Sequence, residues 1–540
     1  MDHDTAPVPY SAKKDSGTTT PVEVLYSEAP VYPPRSLYVP PAKFDEVLMS
    51  RSAWTPSFLP PTVRLFFIGA IVSTSGFLYG FDTGSIGPII QMSQFPNTVG
   101  NLSTSLQGFF VASILLSASV SSLASGVVAE KISRRYGIAV GAAIFALAST
   151  VCAAGQSFAM MQIARLITGI GAGQMISVAS IYLVEIAPAQ ARGKLVCMLQ
   201  FAITVGLMTG YFLCYGTSMI DSSLQWRLPF ALSAVLSLAL CFATLFLVPF
   251  SPRWLAQNGR EDQALSTLRQ LRLSAHSGHH HPPSRYGSED ELLLLELDGI
   301  KAAIAESRRL NASSASFREL FNRRYRSRSL LGIILMAFQQ LSGVDVILYF
   351  APIVFASVFT SQEGAFLASG GLGIVAVLAT IPAQIWADHW GRKPPMVAGG
   401  LSMATCYIVI GSLFAKFGRQ TSSGVRLTGG NAKWVVVVGI YAFLAFFSCT
   451  WAVATRIYAS EIMPTKLRSR AAALQQLANW TTNFLVALTA PSFLKATPSG
   501  PYFFFASTLL IASGICVVFM RETKGKSLEA ITEMFELRAA

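Results

Sequence analysis

The sequence predicts an all-α membrane protein of twelve transmembrane helices in two six-helix halves, with both termini cytoplasmic. Three observations carry that expectation: an apolar composition, apolar runs of near-bilayer length, and a residue pattern that recurs between the two halves of the chain. The 540 residues are 52% hydrophobic and 13% charged, against about 25% charged in soluble domains. A soluble chain of this size covers its surface with polar groups, whereas lipid accepts apolar side chains over the outside of a helix bundle. An ordinary soluble enzyme is excluded on that ground. The net charge of +13 would suggest nucleic acid in a soluble chain; here it marks cytoplasmic loops rich in Lys and Arg, and no nucleic-acid partner is expected. Cys152, Cys197, Cys214, Cys241, Cys406, Cys449 and Cys516 are scattered singly, without the paired spacing of a disulfide framework or metal site. No metal and no other cofactor is expected.

Residues 1–60 are rich in Pro, Ser and charge and lack the apolar core of a signal peptide, so they read as a disordered cytoplasmic tail. Apolar runs near the ~20 residues of a membrane crossing then recur at 65–90, 105–129, 137–155, 159–182, 195–216 and 226–249, which makes 61–250 an N-terminal six-helix bundle. The polar segment 251–329 reads as a cytoplasmic linker with short helices. Six further runs, at 330–357, 366–387, 396–415, 434–460, 471–494 and 501–520, form a C-terminal bundle over 330–520, and 521–540 is a second cytoplasmic tail. Barrel strands would alternate over ~10 residues, so helices are the spanning element. Orientation follows from loop charge: the linker carries Arg253, Arg260, Arg308, Arg309, Arg318, Arg323, Arg324 and Arg326, while 91–104 has no Lys or Arg. The loop 416–433, with Lys416, Arg419, Arg426 and Lys433, runs against this rule. Asn101-Leu102-Ser103 becomes an external glycosylation candidate. The run His279-His280-His281 in the linker reads as solvated loop.

Internal repetition sets the architecture. Tyr182-x-x-Glu185-Ile186-x-Pro188-x-x-x-Arg192 reappears as Tyr458-x-x-Glu461-Ile462-x-Pro464-x-x-x-Arg468, each residue displaced by 276, and Gln200 falls on Gln476 by the same step. Glu130-Lys131-Ile132-Ser133-Arg134-Arg135 answers Asp388-His389-Trp390-Gly391-Arg392-Lys393 at a displacement of 258. Two related parallel halves suit alternating access around a site between them.

On these residues the sequence resembles the sugar porter branch of the major facilitator superfamily. The same resemblance is carried by Gly80-Phe81-Asp82-Thr83-Gly84, Arg165-x-x-x-Gly169-x-Gly171-x-Gly173, Pro249-Phe250-Ser251-Pro252-Arg253, Gln339-Gln340-Leu341-Ser342-Gly343, Asn479-Trp480-x-x-Asn483 and Glu522-Thr523-Lys524-Gly525. It covers almost all of 65–532. It implies the major facilitator fold and a multi-pass plasma-membrane transporter, working as a monomer in the bilayer on a sugar or sugar-acid substrate and a proton. No phosphate-cradling glycine loop beside a Lys-Ser/Thr pair is present, which disfavours an ATP-driven pump, and no enzyme constellation is found.

Four charges fall inside the predicted spans: Asp82, Arg165, Asp345 and Arg456. Each costs at least ~2.5–3.5 kcal/mol in hydrocarbon on insertion scales and should face a cavity or a partner. Counted at ~1.5 Å per residue from the outer ends of spans 1 and 4, Asp82 and Arg165 share a depth. A neighbouring Arg favours the carboxylate and burial favours the neutral acid, so changing hydration would switch Asp82 between them, as proton coupling needs. The alternative is a permanent structural ion pair. Porters similar to this chain that carry Asp at the span 1 position tend to be proton symporters, and facilitators often carry Asn.

Sugars present many hydroxyls, which call for neutral donors and acceptors and aromatic faces. Gln200, Gln339, Gln340, Asn479 and Asn483 supply the amides, with interhelical glue as their alternative role. Gly343 and Pro352 would let span 7 bend beside the cavity. Trp480 and, in span 10, Phe447 are aromatic candidates. Two departures from the family stand out. Asp345 occupies a position where sugar porters usually place a substrate-binding Asn, and Ala452-Val453-Ala454-Thr455-Arg456 replaces the usual Gly-Pro-x-Pro-Trp. Without the prolines span 10 should be straighter. Arg456 then has three readings: it binds the carboxylate of a uronic acid or quinate-like substrate, it pairs with Asp345 in a site for neutral sugars, or it snorkels to the interface.

Near the cytoplasmic face, Glu130, Arg134, Arg135, Glu185 and Arg192 mirror Asp388, Arg392, Lys393, Glu461 and Arg468. Similar residues in the family form salt-bridge clusters that close the inner side. Glu130 stands for the usual Asp, Ser133 for Gly and Phe250 for Glu. The expected function is proton-coupled import of a hexose, pentose or uronic acid such as galacturonate. An uncoupled sugar or polyol facilitator, a quinate-type permease and a transporter-like nutrient sensor are the alternatives.

Overall fold

The computed structural model describes residues 60–188, 191–273, 289–312, 317–359, 361–421, 424–428, 430–464, 467–524, 531 and 534–535. The expected tail up to residue 59, the run His279–His281 and most of 521–540 lie outside the described residues.

The first six long helices are α1 (Pro61–Gln91), α2 (Thr104–Ile132), α3 (Arg134–Ala153), α4 (Phe158–Ile186), α5 (Arg192–Thr217) and α6 (Leu224–Leu247). Their starts follow local chemistry. Proline opens α1, where its missing N–H is not needed, while the hydroxyls of Ser103 and Ser157 accept amides in the first turns of α2 and α4. Ser103 is thus both the third residue of the sequon and a helix cap, and Asn101 beside it is exposed. Ser133 alone separates α2 from α3, at φ 86°.

Three shorter helices follow, α7 (Pro252–Gln257), α8 (Glu261–Arg272) and α9 (Glu289–Ala312). They share a small apolar core of Trp254, Leu255, Ala264, Leu268, Leu293 and Leu297, and Arg272 meets Glu296 at 2.8 Å. The later helices are α10 (Arg326–Leu341), α11 (Val344–Tyr349), α12 (Ala351–Ala356), α13 (Gln362–Trp390), α14 (Lys393–Phe417), α15 (Ala432–Cys449), α16 (Trp451–Glu461), α17 (Arg468–Ala496) and α18 (Gly500–Phe519). Between α14 and α15, where the sequence predicts a loop, lies a hairpin: Gly418–Thr421 pairs antiparallel with Gly424–Leu427, setting Arg419 opposite Arg426.

Among the described residues, eleven helices, counting α10 with α11 and α15 with α16 as one each, are long and apolar enough to cross a membrane. α17 is 29 residues long but carries Gln475, Gln476, Asn479 and Asn483 along its middle.

Two interruptions shape the centre. The seventh expected span breaks at Gly343, at φ 76°, and a β-carbon there would fall 2.6 Å from the Phe505 ring, so both backbone and space demand glycine. It breaks again at Phe350. The tenth span, expected to be straight without its prolines, is interrupted at Thr450, at φ −123° and ψ −77°. Packing takes the place of proline in making this break. The Thr450 hydroxyl donates to the Phe446 carbonyl at 2.6 Å, a back-bond that bends helices. The fully buried Trp451 is anchored by its indole N–H to the Met396 carbonyl at 2.8 Å.

The early and late helices meet where their surfaces are small. α2 packs on α17 and α5 on α13; a β-carbon at Gly108 would come within 2.2 Å of the Leu488 carbonyl oxygen, and one at Gly87 within 1.8 Å of the Tyr349 carbonyl oxygen.

Candidate functional site

Asp82 on α1 and Arg165 on α4 are joined. The Arg165 Nη1 donates to Asp82 Oδ1 at 2.5 Å, with the two side chains 1% and 7% exposed respectively. The Arg165 guanidinium also lies 5.7 Å from the centre of the Phe110 ring, and its Nε and Nη2 have no hydrogen-bond partner. An ion pair this dry gains strongly from Coulomb attraction but leaves two buried donors of Arg165 without partners.

Asp345 and Arg456 are not paired. Asp345 sits on the first turn of α11, 7% exposed, and its Oδ2 has no partner. Arg456, on α16, donates instead to Gln200 Oε1 on α5 at 3.1 Å. No hydrogen bond or ion pair joins Arg456 to Asp345 in this structure, and the guanidinium is instead fixed by a residue of the early helices. Arg456 nevertheless keeps surface open to solvent, so it lines a water-accessible space. Asp345 and Arg456 remain within electrostatic reach of each other and of Tyr79.

The amides divide into two groups. Gln339 donates to the Trp451 carbonyl at 2.9 Å, and Asn479 donates to Gln339 Oε1 at 2.9 Å and the Met336 carbonyl at 3.1 Å while accepting from Gln340 at 3.0 Å. Gln339 and Asn479 therefore tie α10, α16 and α17 together. Gln340 Oε1 and Asn483 Oδ1 stay buried without a donor. Trp480 stands edge-on to Tyr79, ring centres 5.5 Å apart. Phe447 is half-buried at the end of α15, just before the Thr450 break.

Four tyrosines also gather at the centre, although little in the sequence alone sets them apart from other aromatic residues of the spans. The hydroxyls of Tyr79 and Tyr349 meet at 3.3 Å, Tyr211 donates to the Leu348 carbonyl, and the Tyr407 hydroxyl is buried without a partner. All four lie within electrostatic reach of Asp345. The spacing of Tyr79 and Asp82, three residues on one helix face, was the available signal.

At the opposite end from the hairpin, two carboxylates repeat one motif. Glu185 meets Arg134 at 2.9 Å and accepts from the Ser251 hydroxyl at 2.5 Å; Glu461 meets Arg392 at 3.1 Å and accepts from the Thr523 hydroxyl at 2.7 Å. Each pair stays within its own set of helices. Arg135 lies 4.9 Å from the Phe250 ring, which occupies the place of the family's Glu. The Glu130 side chain is exposed and its carbonyl accepts from the Trp254 indole at 3.0 Å. Lys393 reaches the Val517 carbonyl at 2.7 Å and Arg468 the Met463 carbonyl at 3.2 Å. The side chains of Arg192 and Asp388 lie outside the described residues. Burial opposes ionisation of Glu522, yet the amides of Lys524, Lys393, Arg392 and Thr523 converge on its carboxylate and hold its pKa below the usual range.

A family profile described as "Sugar (and other) transporter" matches residues 68–535. The chain is 28% identical over 492 residues to sugar transport protein MST7 of Oryza sativa subsp. japonica, covering 88% of this chain and 92% of the relative. It is 28% identical over 490 residues to high-affinity glucose transporter 1 of Candida albicans, covering 89% and 87%. Among solved structures it resembles the xylose transporter XylE from E. coli. The inward-open form matches with a TM-score of 0.69 and 26% identity, over 87% of this chain and 99% of that one. The proton:xylose symporter bound to 6-bromo-6-deoxy-D-glucose matches with a TM-score of 0.69 and 27% identity, over 88% and 100%.

Proposed function

The chain belongs to the sugar transporter family, and from that premise we propose that it imports a monosaccharide or sugar acid together with a proton across the plasma membrane. It is a multi-pass membrane protein whose relatives are transporters, not enzymes. In this reading α17 is also a span, the eleventh in chain order and the one that brings the total to twelve, its amides turned toward other helices, and the Arg392 end of the bundle faces the cytoplasm with both termini, in keeping with the basic linker. The hairpin end and Asn101 then lie outside.

The observation that carries the proposal is the buried Asp82–Arg165 pair. A carboxylate that is stable only beside its arginine exchanges a proton when water or movement alters that contact, which is what coupling substrate movement to a proton gradient demands. The XylE proton symporter supports the same reading. For the substrate, Arg456 favours a sugar acid, because its guanidinium is fixed by a neutral amide and open to solvent with no carboxylate in ion-pair contact. The buried amides Gln340 and Asn483 favour a neutral hexose or pentose as the second reading.

Uptake of labelled galacturonate, glucose, xylose and inositol into proteoliposomes, with and without a protonophore, tests both parts. Accumulation that the protonophore collapses is expected; equal uptake under both conditions would make the protein an uncoupled facilitator. Arg456→Gln is expected to lower galacturonate uptake by about 100-fold, the worth of a bidentate carboxylate contact, while sparing glucose. Neutral-sugar uptake that galacturonate does not compete with would establish the second reading instead.

A further inference from the structure

Asp345 is a buried carboxylate with an unpartnered oxygen, and such a group survives ionised only if some nearby cation offsets its lost hydration. The groups that reach it can be named element by element. α1 presents Tyr79, α5 Tyr211, α11 its own Tyr349, and α14 Tyr407. α17, which packs against α11, carries Asn483 near Tyr349 and keeps its charged residues, Arg468, Arg470 and Lys495, at its ends. α15 carries Lys433 at its start, and its Tyr441 donates to the Ala368 carbonyl. Among the described residues the cation that acts on Asp345 is therefore Arg456 on α16, whose own hydrogen bond goes to Gln200.

One cation at the edge of a water-accessible space cannot fully offset both the buried Asp345 and a second carboxylate. A substrate carboxylate seated on Arg456 would take up the charge that Asp345 depends on and add a second negative charge nearby, and like charges at close range force one acid to protonate. We propose that a hydroxylated monocarboxylate binds with its carboxylate on Arg456 and that Asp345 takes up one proton from solvent as it does so. The proton bonds to Asp345 Oδ2, no bond is broken, and the site of Arg456, Asp345 and ligand keeps the same net charge empty and loaded. This proton is separate from the one assigned to Asp82, and the inference rests on the sugar-acid reading of the substrate.

The test is calorimetric titration of the purified full-length protein with galacturonate in buffers of different ionisation enthalpy, which counts protons taken up per ligand. Wild type is expected to take up about one proton more than Asp345→Asn, a difference that persists in an Asp82→Asn background. Wild type alone gives a second readout: galacturonate affinity should weaken by up to about tenfold per pH unit as pH rises through the Asp345 titration, from one-proton linkage. Galacturonate binding without proton uptake and without this pH dependence overturns the inference and leaves the sugar-acid reading standing. Absence of galacturonate binding removes the sugar-acid reading itself. Glucose binding accompanied by the same Asp345-dependent proton also overturns the inference, because the proton would not answer a substrate carboxylate.

Discussion

Asp82 with Arg165 among the early helices and Asp345 with Arg456 among the late ones are arranged in opposite ways. Asp82 and Arg165 are closed on each other at 2.5 Å, whereas Asp345 keeps an unpartnered oxygen while Arg456 reaches across to Gln200. A closed pair satisfies its own charge and responds to whatever opens it. A split pair leaves a cation and an anion each ready for a partner. The same contrast between related parts recurs at the short turn ahead of the arginine motif: Ser133 stands at φ 86° where its counterpart Gly391 stands at φ 80°, so one half uses glycine for a glycine conformation and the other does not.

The largest effect comes from breaking the closed pair. Arg165→Leu leaves Asp82 buried without its cation, which costs ~3–5 kcal/mol, and is expected to lower the thermal midpoint of the detergent-solubilised protein sharply. Arg456→Leu, which removes one member of the split pair, should lower it less, since only the hydrogen bond to Gln200 and a longer-range attraction to Asp345 are lost. Equal losses would contradict the difference between the pairs.

Next in size is the turn. Ser133→Gly should stabilise by about 1–3 kcal/mol by relieving a positive-φ residue. Gly391→Ser should destabilise, because a β-carbon there meets Glu522 Oε2 at 2.9 Å. Thermal unfolding of both variants checks the pair, and a destabilised Ser133→Gly would show that its backbone carries no strain.

The smallest effect is at Glu522. Its pKa is depressed in the folded protein, so its contribution to stability is complete above the ordinary carboxylate value and is lost as pH falls through the depressed one. Glu522→Gln should therefore reduce stability at neutral pH and flatten its acid dependence below about pH 4.5; a wild-type acid profile unchanged by the substitution would remove this role.

The sequence makes the closed pair readable and hides the split one, for a physical reason. Asp82 and Arg165 lie within unbroken helices, so counting residues from the helix ends gives their depth. Asp345 and Arg456 each follow a break, at Gly343 and at Thr450, and a break resets both depth and facing. The first announces itself through glycine. The second comes from a threonine back-bond and the packing of Trp451, which carry no proline signal. Tyr79, Tyr211, Tyr349 and Tyr407 were hidden because an aromatic residue in an apolar span stands out only once tertiary packing gathers several within electrostatic reach of one carboxylate. The repeated glutamates were readable from the 276-residue displacement, although their hydroxyl partners Ser251 and Thr523 were not.

The central claim is that substrate entry carries a proton through the closed pair. Adding substrate to weakly buffered proteoliposomes and recording external pH measures it directly. Alkalinisation that continues over many turnovers after substrate addition in wild type, absent in Asp82→Asn although that variant still exchanges substrate, is the predicted result. Substrate uptake with no pH change in wild type, or the same alkalinisation in Asp82→Asn, would contradict the account.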